Sequence, residues 1–576
     1  MQRYWCLFLV SCLPPIASGQ DKADSLIFSG NYQNGQFESL TFVNPVMGWD
    51  LFFNNGFLGQ STAIGNIEAG HVWFGHEVFL RPPNSPGFVT YQNPSSLNEI
   101  DYHATTVGHV LAGSGYVPGS NGSYTYAGLG MAPAATLVSG AIATGFSSTD
   151  VGSFSLSHES MVTAYRDFFK GTNLGGGVSK LDVINSSWGG TGPSAMDPGT
   201  LAIDGLARQN STVALVISAG NGGPAPVSAP ASGYNGIAVG SLGGAEFLTP
   251  SGFSSRGKND FYNPVTGITH YGVRVAVDLA APGERLFLAG YFGDSGSIGA
   301  SDDLDFLVDP SLPDDLYFVN MDGTSYAAPF VAGGIALLKD AANAIMPGKT
   351  YAQDTRVIKS VLMAGSQTTE GWNNHQNSFH VTTQALDANS GAGALDLAGS
   401  ADVYFGQTRD LVDLFQGGVI GSSGWDAAVI GLGQRMDYRF ASAFTQYTAL
   451  TVALNWFSVR EFDDESGIGS DLAFSNLDLQ IWRVDDDGVF TTKVGESRSI
   501  YNNTEFLRFG GLESGRYGFR VVFDSMVYDT TGLVSQEFYG LAWNTEGVEA
   551  LAIPEPSFAV IFSTTFFLLV MGRSRK

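Results

Sequence analysis

An α/β domain built on a mostly parallel, buried sheet, followed by an all-β sandwich, is the architecture this sequence predicts. Between about Leu58 and Ala398, short β-rich apolar runs alternate with helical patterns. That alternation argues for a parallel sheet whose strands are buried on both faces. From about Val403 the texture changes to strand-like runs separated by Gly, Asp and Asn turns. Several short strands at such spacing suggest a sandwich.

Taken in order, Thr62–Ile67, Leu181–Asn185, Val213–Ser218 and Ile237–Val239 read as core strands, and Val331–Ile345 as the clearest helix. Ser301–Asp315, with six aspartates, reads as a surface loop. In the second part Leu450–Trp456, Leu477–Arg483, Phe506–Phe509 and Tyr517–Phe523 are the strand-like runs. No internal repeat is evident.

The chain has 576 residues, 44% hydrophobic and 14% charged, which makes it globular and long enough for two or more domains. Seventy-four glycines predict many turns and sharply bent loops. Acidic residues outnumber basic ones 54 to 28, for a net charge of −26. A nucleic-acid partner needs a basic footprint, and none is present.

The two ends read as addresses. Arg3, the apolar run Tyr4–Leu13 and the small residues Ala17-Ser18-Gly19 have the layout of a secretory signal peptide over residues 1–19, with cleavage before Gln20. A rival is a lipoprotein signal, because Leu9-Val10-Ser11-Cys12 resembles a lipobox. Cys6 and Cys12 both lie in this segment, so a chain starting at Gln20 has no thiol, disulfide or cysteine-based metal site. At the other end, Pro554-Glu555-Pro556 precedes the apolar run Ser557–Gly572 and the cluster Arg573-Ser574-Arg575-Lys576. Sixteen apolar residues are slightly short for a transmembrane helix, and the basic cluster would stay on the cytoplasmic side. The order resembles the PEP-CTERM sorting signal of Gram-negative envelope and biofilm bacteria. That resemblance implies transient inner-membrane contact, removal of the tail by a membrane protease of the exosortase type, and a final place at the cell envelope, the outer surface or the medium. A plain C-terminal anchor is the alternative.

The strongest chemical signal is Gly323-Thr324-Ser325-Tyr326-Ala327-Ala328-Pro329, opening the helix. A serine hydroxyl is a weak nucleophile until a base takes its proton. At a helix N-terminus it also sits near free backbone N–H groups and a positive field. Taken alone, Thr-Ser before a helix is a capping pair. The whole heptapeptide resembles the nucleophile motif Gly-Thr-Ser-x-Ala-x-Pro of the subtilisin family.

Other segments match that family in its own order. His103-Ala104-Thr105-Thr106-Val107 resembles its His-Gly-Thr-His-Val, with Ala104 for glycine and Thr106 for the second histidine. The resemblance makes His103 the general base, while His109 falls where glycine is usual and reads as structural. Ser186-Ser187-Trp188-Gly189-Gly190 is similar to the family segment that pairs with substrate backbone, so Ser187, Trp188, Gly189 and Gly190 are expected to bind substrate. Ala219-Gly220-Asn221-Gly222 after a buried strand resembles the turn carrying the oxyanion asparagine, Asn221. Ile237–Gly240, Phe253–Gly257, Ala280–Gly283 and Val357–Ala364 match further family segments, so the resemblance spans roughly residues 58–400. It implies a three-layer α/β sandwich around a mostly parallel sheet and a polypeptide substrate.

Two departures stand out. The family's orienting aspartate is replaced: the matching segment reads Asn66-Ile67-Glu68-Ala69-Gly70, which assigns Glu68, 35 residues before His103, to the acid's position. Asp101 and Asp50 are rivals, the first reading as a turn residue and the second as solvated or capping. The family also usually carries a sizeable N-terminal prodomain, and Gln20 to about Gly56 is too short for one. Calcium commonly supports the family fold. Acidic loops at Asp302–Asp305, Asp463–Asp471 and Asp485–Asp487 could offer oxygen ligands, though no ligand pattern assigns a metal.

The expected organisation is a signal peptide (1–19), an N-terminal extension (20–57), a peptidase domain (58–400), a β-sandwich (401–550) and a sorting or anchor segment (551–576). The leading reading is an exported serine endopeptidase with a Ser325–His103–Glu68 triad. A non-catalytic surface protein that uses the same cleft or the sandwich for binding is the rival. Carbohydrate binding by sandwich aromatics such as Trp456 and Trp482 is compatible with either.

Overall fold

A computed structural model describes residues 27–546 apart from 34–35, 83–84, 119–123, 127, 148–151, 191, 292, 294, 298–316 and 412–416. The expected signal peptide (1–19), the expected sorting segment (551–576) and the acidic stretch Ser301–Asp315 with Asp302–Asp305 lie outside the described residues. Among the described residues no helix is long and apolar enough to cross a membrane.

The central sheet has eight strands: β1 (Ala63–Glu68), β2 (Phe88–Thr90), β3 (Thr136–Ala141), β4 (Val183–Ser186), β5 (Ala214–Ser218), β6 (Ile237–Gly243), β7 (Thr249–Pro250) and β8 (Leu279–Pro282). Its order is β7-β6-β5-β4-β1-β3-β2, with β8 also on β6, and every pairing is parallel except β6 with β7. Six helices matter to the site: α1 (Tyr102–Ala112), α2 (His158–Lys170), α3 (Pro198–Gln209), α4 (Thr324–Ile345), α5 (Thr355–Gly365) and α6 (Leu397–Tyr404).

The period-2 alternation of a strand sorts its side chains between two faces. Ile64, Val183, Val216 and Val239 pack with α1, α4 and α5 in one cluster. Ile184, Leu215 and Ile217 pack with α2 and α3 in another. Helix, sheet and helix thus form three layers, the α/β sandwich the sequence predicted.

Helix α4 begins at Thr324, seven residues ahead of the predicted start, and runs through Pro329. Proline inside a helix removes the N–H that would bond the carbonyl four residues back, here that of Ser325. The Ser187 hydroxyl donates to that carbonyl at 2.7 Å instead. The missing bond is replaced from the neighbouring strand, so the helix continues.

The N-terminal segment is woven into the peptidase core. Strands Phe28–Gln33 and Gln36–Phe42 join Leu286–Ala289 and Tyr317–Met321 in a four-stranded antiparallel sheet. Met47, Trp49 and Phe52 are buried in the first cluster, and Trp49 Nε1 donates to the Met131 carbonyl at 2.8 Å.

The second part is two packed, mainly antiparallel sheets with short parallel strands at their edges. One carries β9 (Ser423–Gly431), β11 (Thr448–Trp456), β15 (Thr504–Leu512) and β17 (Gln536–Glu546); the other carries β10 (Arg435–Phe440), β12 (Val459–Asp463), β13 (Ile468–Val484), β14 (Phe490–Ser497) and β16 (Tyr517–Asp529). Trp456 is buried between them and Trp482 lies half-buried beneath the Arg520 guanidinium. Trp456 is therefore core, with no face for a sugar.

Domain and sandwich share core. Trp425, Ala453, Phe506 and Ala542 belong to the same cluster as Val357, Ile358 and Val361 of α5. Ser360 Oγ donates to the Gly540 carbonyl at 2.9 Å and accepts from Asn455 Nδ2 at 2.8 Å. A Cβ on Gly540 would lie 2.3 Å from the Arg356 carbonyl carbon, so backbone meets backbone here. Gly540→Ala should therefore lower unfolding stability by about 1–3 kcal/mol, read by denaturant titration, because helix and sheet must part.

Candidate active site

The carboxyl ends of β1, β4 and β5 converge on the N-terminus of α4. Brought together there are Glu68 at the end of β1, Ser187 just past β4, Asn221 just past β5 and Ser325 in the first turn of α4. His103 comes from the first turn of α1. Asp101 caps that helix, its Oδ2 accepting from the N–H groups of His103 and Ala104 at 3.1 and 3.3 Å. Its Oδ1 accepts from the Ser297 N–H and hydroxyl. Asp50 sits in the first turn of helix Trp49–Asn54.

The spacing of Glu68 and His103 is fixed locally. After β1 the chain clamps to the loop entering α1: His71 N–H donates to the Glu99 carbonyl at 2.7 Å, and Asp101 N–H to the His71 carbonyl at 2.9 Å. A Cβ on Gly70 would lie 2.6 Å from both the Glu99 carbonyl oxygen and Asp101 Cβ. Only glycine lets the two segments close.

Glu68 is 1% exposed and both its oxygens are used. Oε2 is 3.0 Å from His103 Nδ1, and Oε1 accepts from the Ser187 N–H at 2.9 Å. With Nδ1–H donated to the carboxylate, His103 Nε2 carries the free lone pair. Burial works to lower the His103 pKa, but the hydrogen bond and charge of Glu68, with the charge of Asp101, outweigh it and hold the imidazole above its ordinary 6.5. His109 is the reverse case. Its Nδ1 accepts from Ala289 N–H at 2.9 Å and its Nε2 donates to the Gly128 carbonyl at 2.7 Å. Burial, with the charge of His76, pushes it down to about 3, so it is a neutral structural bridge.

Ser325 is half-buried, and its hydroxyl donates to the Ser187 carbonyl at 3.0 Å rather than to His103. The Asn221 amide is aimed by its oxygen, which accepts from the N–H and hydroxyl of Thr324, both at 2.9 Å. Its Nδ2 makes no hydrogen bond within the described residues and is left as a donor beside the helix N-terminus. Gly323 N–H donates to the Gly283 carbonyl at 2.9 Å, which is how the Ala280–Gly283 segment backs the turn ahead of Ser325.

Sequence reading placed Ser187 only at the substrate edge. In the structure it binds Glu68 through N–H, the Ser325 backbone through Oγ and the Ser325 hydroxyl through its carbonyl. Pro329 was the available signal, since a proline four residues after Ser325 leaves that carbonyl needing a donor. Beyond Ser187 the exposed Gly189 and Gly190 border a cleft of about 900 Å³, walled by Phe154, Met161, Trp188, Met196 and Pro230. At ~3.5 Å per residue, Gly190 is within about 10 Å of Ser187.

Among the described residues no group of three or more His, Cys, Asp or Glu could hold a metal. The Asp463 carboxylate is taken by the N–H groups of Glu465 and Ser466, and that of Asp485 by those of Asp487 and Val489. In both loops these bonds fall on a single carboxylate oxygen, Oδ1.

A buried acid–imidazole pair and a helix-terminal serine meet where the carboxyl ends of β1, β4 and β5 converge, a setting in keeping with a serine-type peptidase. The subtilase family model, peptidase S8, matches residues 67–393, and the chain belongs to that family. Among solved structures it is similar to a serine protease of Aeromonas sobria, at 14% identity over 85% of this chain and 88% of that one, with a TM-score of 0.41. It is also similar to the prenylagaramide maturation protease PagA, at 19% identity over 62% of this chain and 98% of that one, with a TM-score of 0.40. Comparison with curated proteins finds no significant match.

Proton NMR titration of the histidines checks the electrostatics. His103 should titrate above 6.5, and Glu68→Gln should bring its midpoint down by removing the charge. His109 should stay neutral to below pH 4.

Proposed function

We propose that this peptidase is an exported endopeptidase working by acyl-enzyme chemistry, with Ser325 as nucleophile, His103 as general base and acid, Glu68 as orienting acid and Asn221 as oxyanion donor. The observation that carries the reading is Glu68 spanning His103 Nδ1 and the Ser187 N–H, while the Ser187 carbonyl holds the Ser325 hydroxyl. A polypeptide lies along Gly189 and Gly190 with its upstream part in the cleft. The Ser325 hydroxyl turns from Ser187 to His103 Nε2, and its proton passes there as Oγ bonds the scissile carbonyl carbon. The charge gathering on the carbonyl oxygen meets Asn221 Nδ2 and the first-turn N–H groups of α4. His103 then gives its proton to the leaving amine, and the C–N bond breaks. Water repeats the cycle on the ester: its proton goes to His103, its oxygen to the carbonyl carbon, and Ser325 leaves with the returned proton.

Glu68 keeps the imidazole in the productive tautomer and stabilises its cation. Because His103 must be neutral to act, turnover rises with pH through a midpoint above 6.5. In a subtilisin, loss of the orienting acid costs about 3 × 10⁴ in turnover, or roughly 6 kcal/mol. A fluorophosphonate probe should label Ser325, and Ser325→Ala should abolish labelling and casein hydrolysis. Glu68→Ala should keep the fold and lose several orders of magnitude in turnover. Labelling that survives Ser325→Ala, or wild-type turnover in Glu68→Ala, overturns the assignment.

The terminal segments support export: residues 1–19 direct secretion, and the Pro554-Glu555-Pro556, apolar and basic series at 551–576 directs sorting and tail removal by an exosortase-type protease. Intact-mass measurement on protein from the native host should find Gln20 at one end and a terminus near Pro554–Pro556 at the other. A mature form ending at Lys576 in the inner membrane shows a permanent anchor instead.

A further inference from the structure

Both walls of the cleft are held from behind by a hairpin of the sandwich. Strands β12 and β13 run antiparallel with Asp463 opposite Ile468, so residues 464–467 form the tip. One wall is the stretch before α3. There Ser194 and Met196 face the cleft, while Ala195 between them is buried with Phe474 and Tyr528 of the sandwich. The Ala195 carbonyl accepts from Arg460 Nη1 at 2.8 Å. Arg460 is fully buried; the same nitrogen bonds Asp204 of α3 at 2.8 Å, and its Nε is 3.4 Å from Asp471. Its guanidinium lies 4.8 Å from the Tyr234 ring centre. Asp204 also accepts from the N–H groups of Tyr234 and Asn235.

The helix behind that wall touches the hairpin backbone directly. A Cβ on Gly205 would lie 2.6 Å from Phe462 N, and one on Gly469 2.2 Å from Ala202 N. The other wall is α2, which supplies His158 and Met161 to the cleft. His158 Nε2 bonds the Gly467 carbonyl at 3.0 Å, Lys170 pairs with Asp464, and Phe462 is buried in the cluster that holds Met161. None of these hairpin residues lines the cleft. They touch its walls.

We propose that the β12–β13 hairpin makes the sandwich part of substrate recognition, with Arg460 as the positioning residue that fixes the wall at Ser194–Met196. The inference rests on the cleft receiving polypeptide. It places Arg460 behind affinity for the upstream residues of the substrate and apart from bond breaking at Ser325. Ser194 and Met196 belong to a stretch without regular secondary structure, so its tie to a buried, charge-assisted donor is what keeps their side chains aimed.

Arg460→Lys leaves one ammonium on a shorter stem where Nη1 met Asp204 and the Ala195 carbonyl and Nε met Asp471; a single nitrogen cannot hold both positions, and the two carboxylates draw it off the uncharged carbonyl. In the full chain, KM for a hexapeptide anilide that extends into the cleft should rise about tenfold. Its kcat, kcat/KM for a single-residue acetyl ester and the rate of fluorophosphonate labelling should stay within about twofold. Equal losses on hexapeptide and ester, or an unchanged hexapeptide KM, overturn the inference. Asp464→Ala, at the exposed tip, guards against a lysine variant that does not fold, and should raise only the hexapeptide KM, by about threefold. Calorimetric binding of the uncleaved hexapeptide in a Ser325→Ala background reads the cleft without turnover: Kd should rise tenfold with Arg460→Lys. Absence of labelling at Ser325 in the parent chain sinks the peptidase mechanism, whereas hexapeptide binding that is absent or indifferent to Arg460→Lys sinks this inference.

Discussion

The site hangs on one residue, Ser187, and on the carbonyl that Pro329 leaves open. Pro329 has no N–H to give Ser325, so the first turn of α4 is stable only where another donor fills the gap. The Ser187 hydroxyl fills it, and its backbone N–H and carbonyl engage Glu68 and the Ser325 hydroxyl. Glu68 and Ser325 are thereby placed by the same few atoms at the end of β4. A shift of that strand would move both together.

The other end of α4 is tied to the same strands. Lys339, fully buried, donates to the carbonyls of Asp182 at 2.9 Å and Thr212 at 2.8 Å, just ahead of β4 and β5. Burial, against the pull of Asp182, pushes the Lys339 pKa down to about 8. From Ser325 to Lys339 the helix rises about 21 Å, and from Asp182 to Ser187 the strand spans about 17 Å, a difference that a lysine stem covers. The helix is thus fastened antiparallel to β4 at both ends, which fixes Ser325 along the strand axis. Burying an ammonium is costly unless its donors are satisfied. Here two carbonyls take it, with Gln353 as a third at 3.3 Å.

Local chemistry was legible in the sequence, and long-range chemistry was not. The strands β1, β4 and β5 could be read within a residue or two because a parallel strand buried on both faces is a continuous apolar run. His103, Asn221 and Ser325 each lie in a short motif that marks them along the chain, although only His103 is set by a near neighbour, Asp101, while Asn221 is aimed by Thr324 and Ser325 is held by Ser187. Arg460 carries no such motif. In sequence it is one basic residue with no chemistry-bearing neighbours, and nothing points from it to Asp204, 256 residues earlier. The N-terminal strands failed to register for the same reason: their partner at Leu286–Ala289 is some 250 residues away, and a short run before a helix has no periodicity of its own.

Glu68 meets the imidazole with a side chain one methylene longer than an aspartate's, and that length changes little there. An added methylene gives the carboxylate one more rotatable bond, and Glu can lose up to about 2 kcal/mol of rotamer entropy on burial. That cost falls on folding, because in the folded chain both oxygens of Glu68 are already held, one by His103 and one by a backbone N–H. His103 itself is set by the Asp101 cap and by the clamp of His71 on Glu99 and Asp101, neither of which involves the carboxylate. The imidazole thus meets an oxygen whose place is dictated by Ser187 and the end of β1. The longer side chain adapts to that frame, and the spacing from Glu68 to His103 is set by backbone on either side of it.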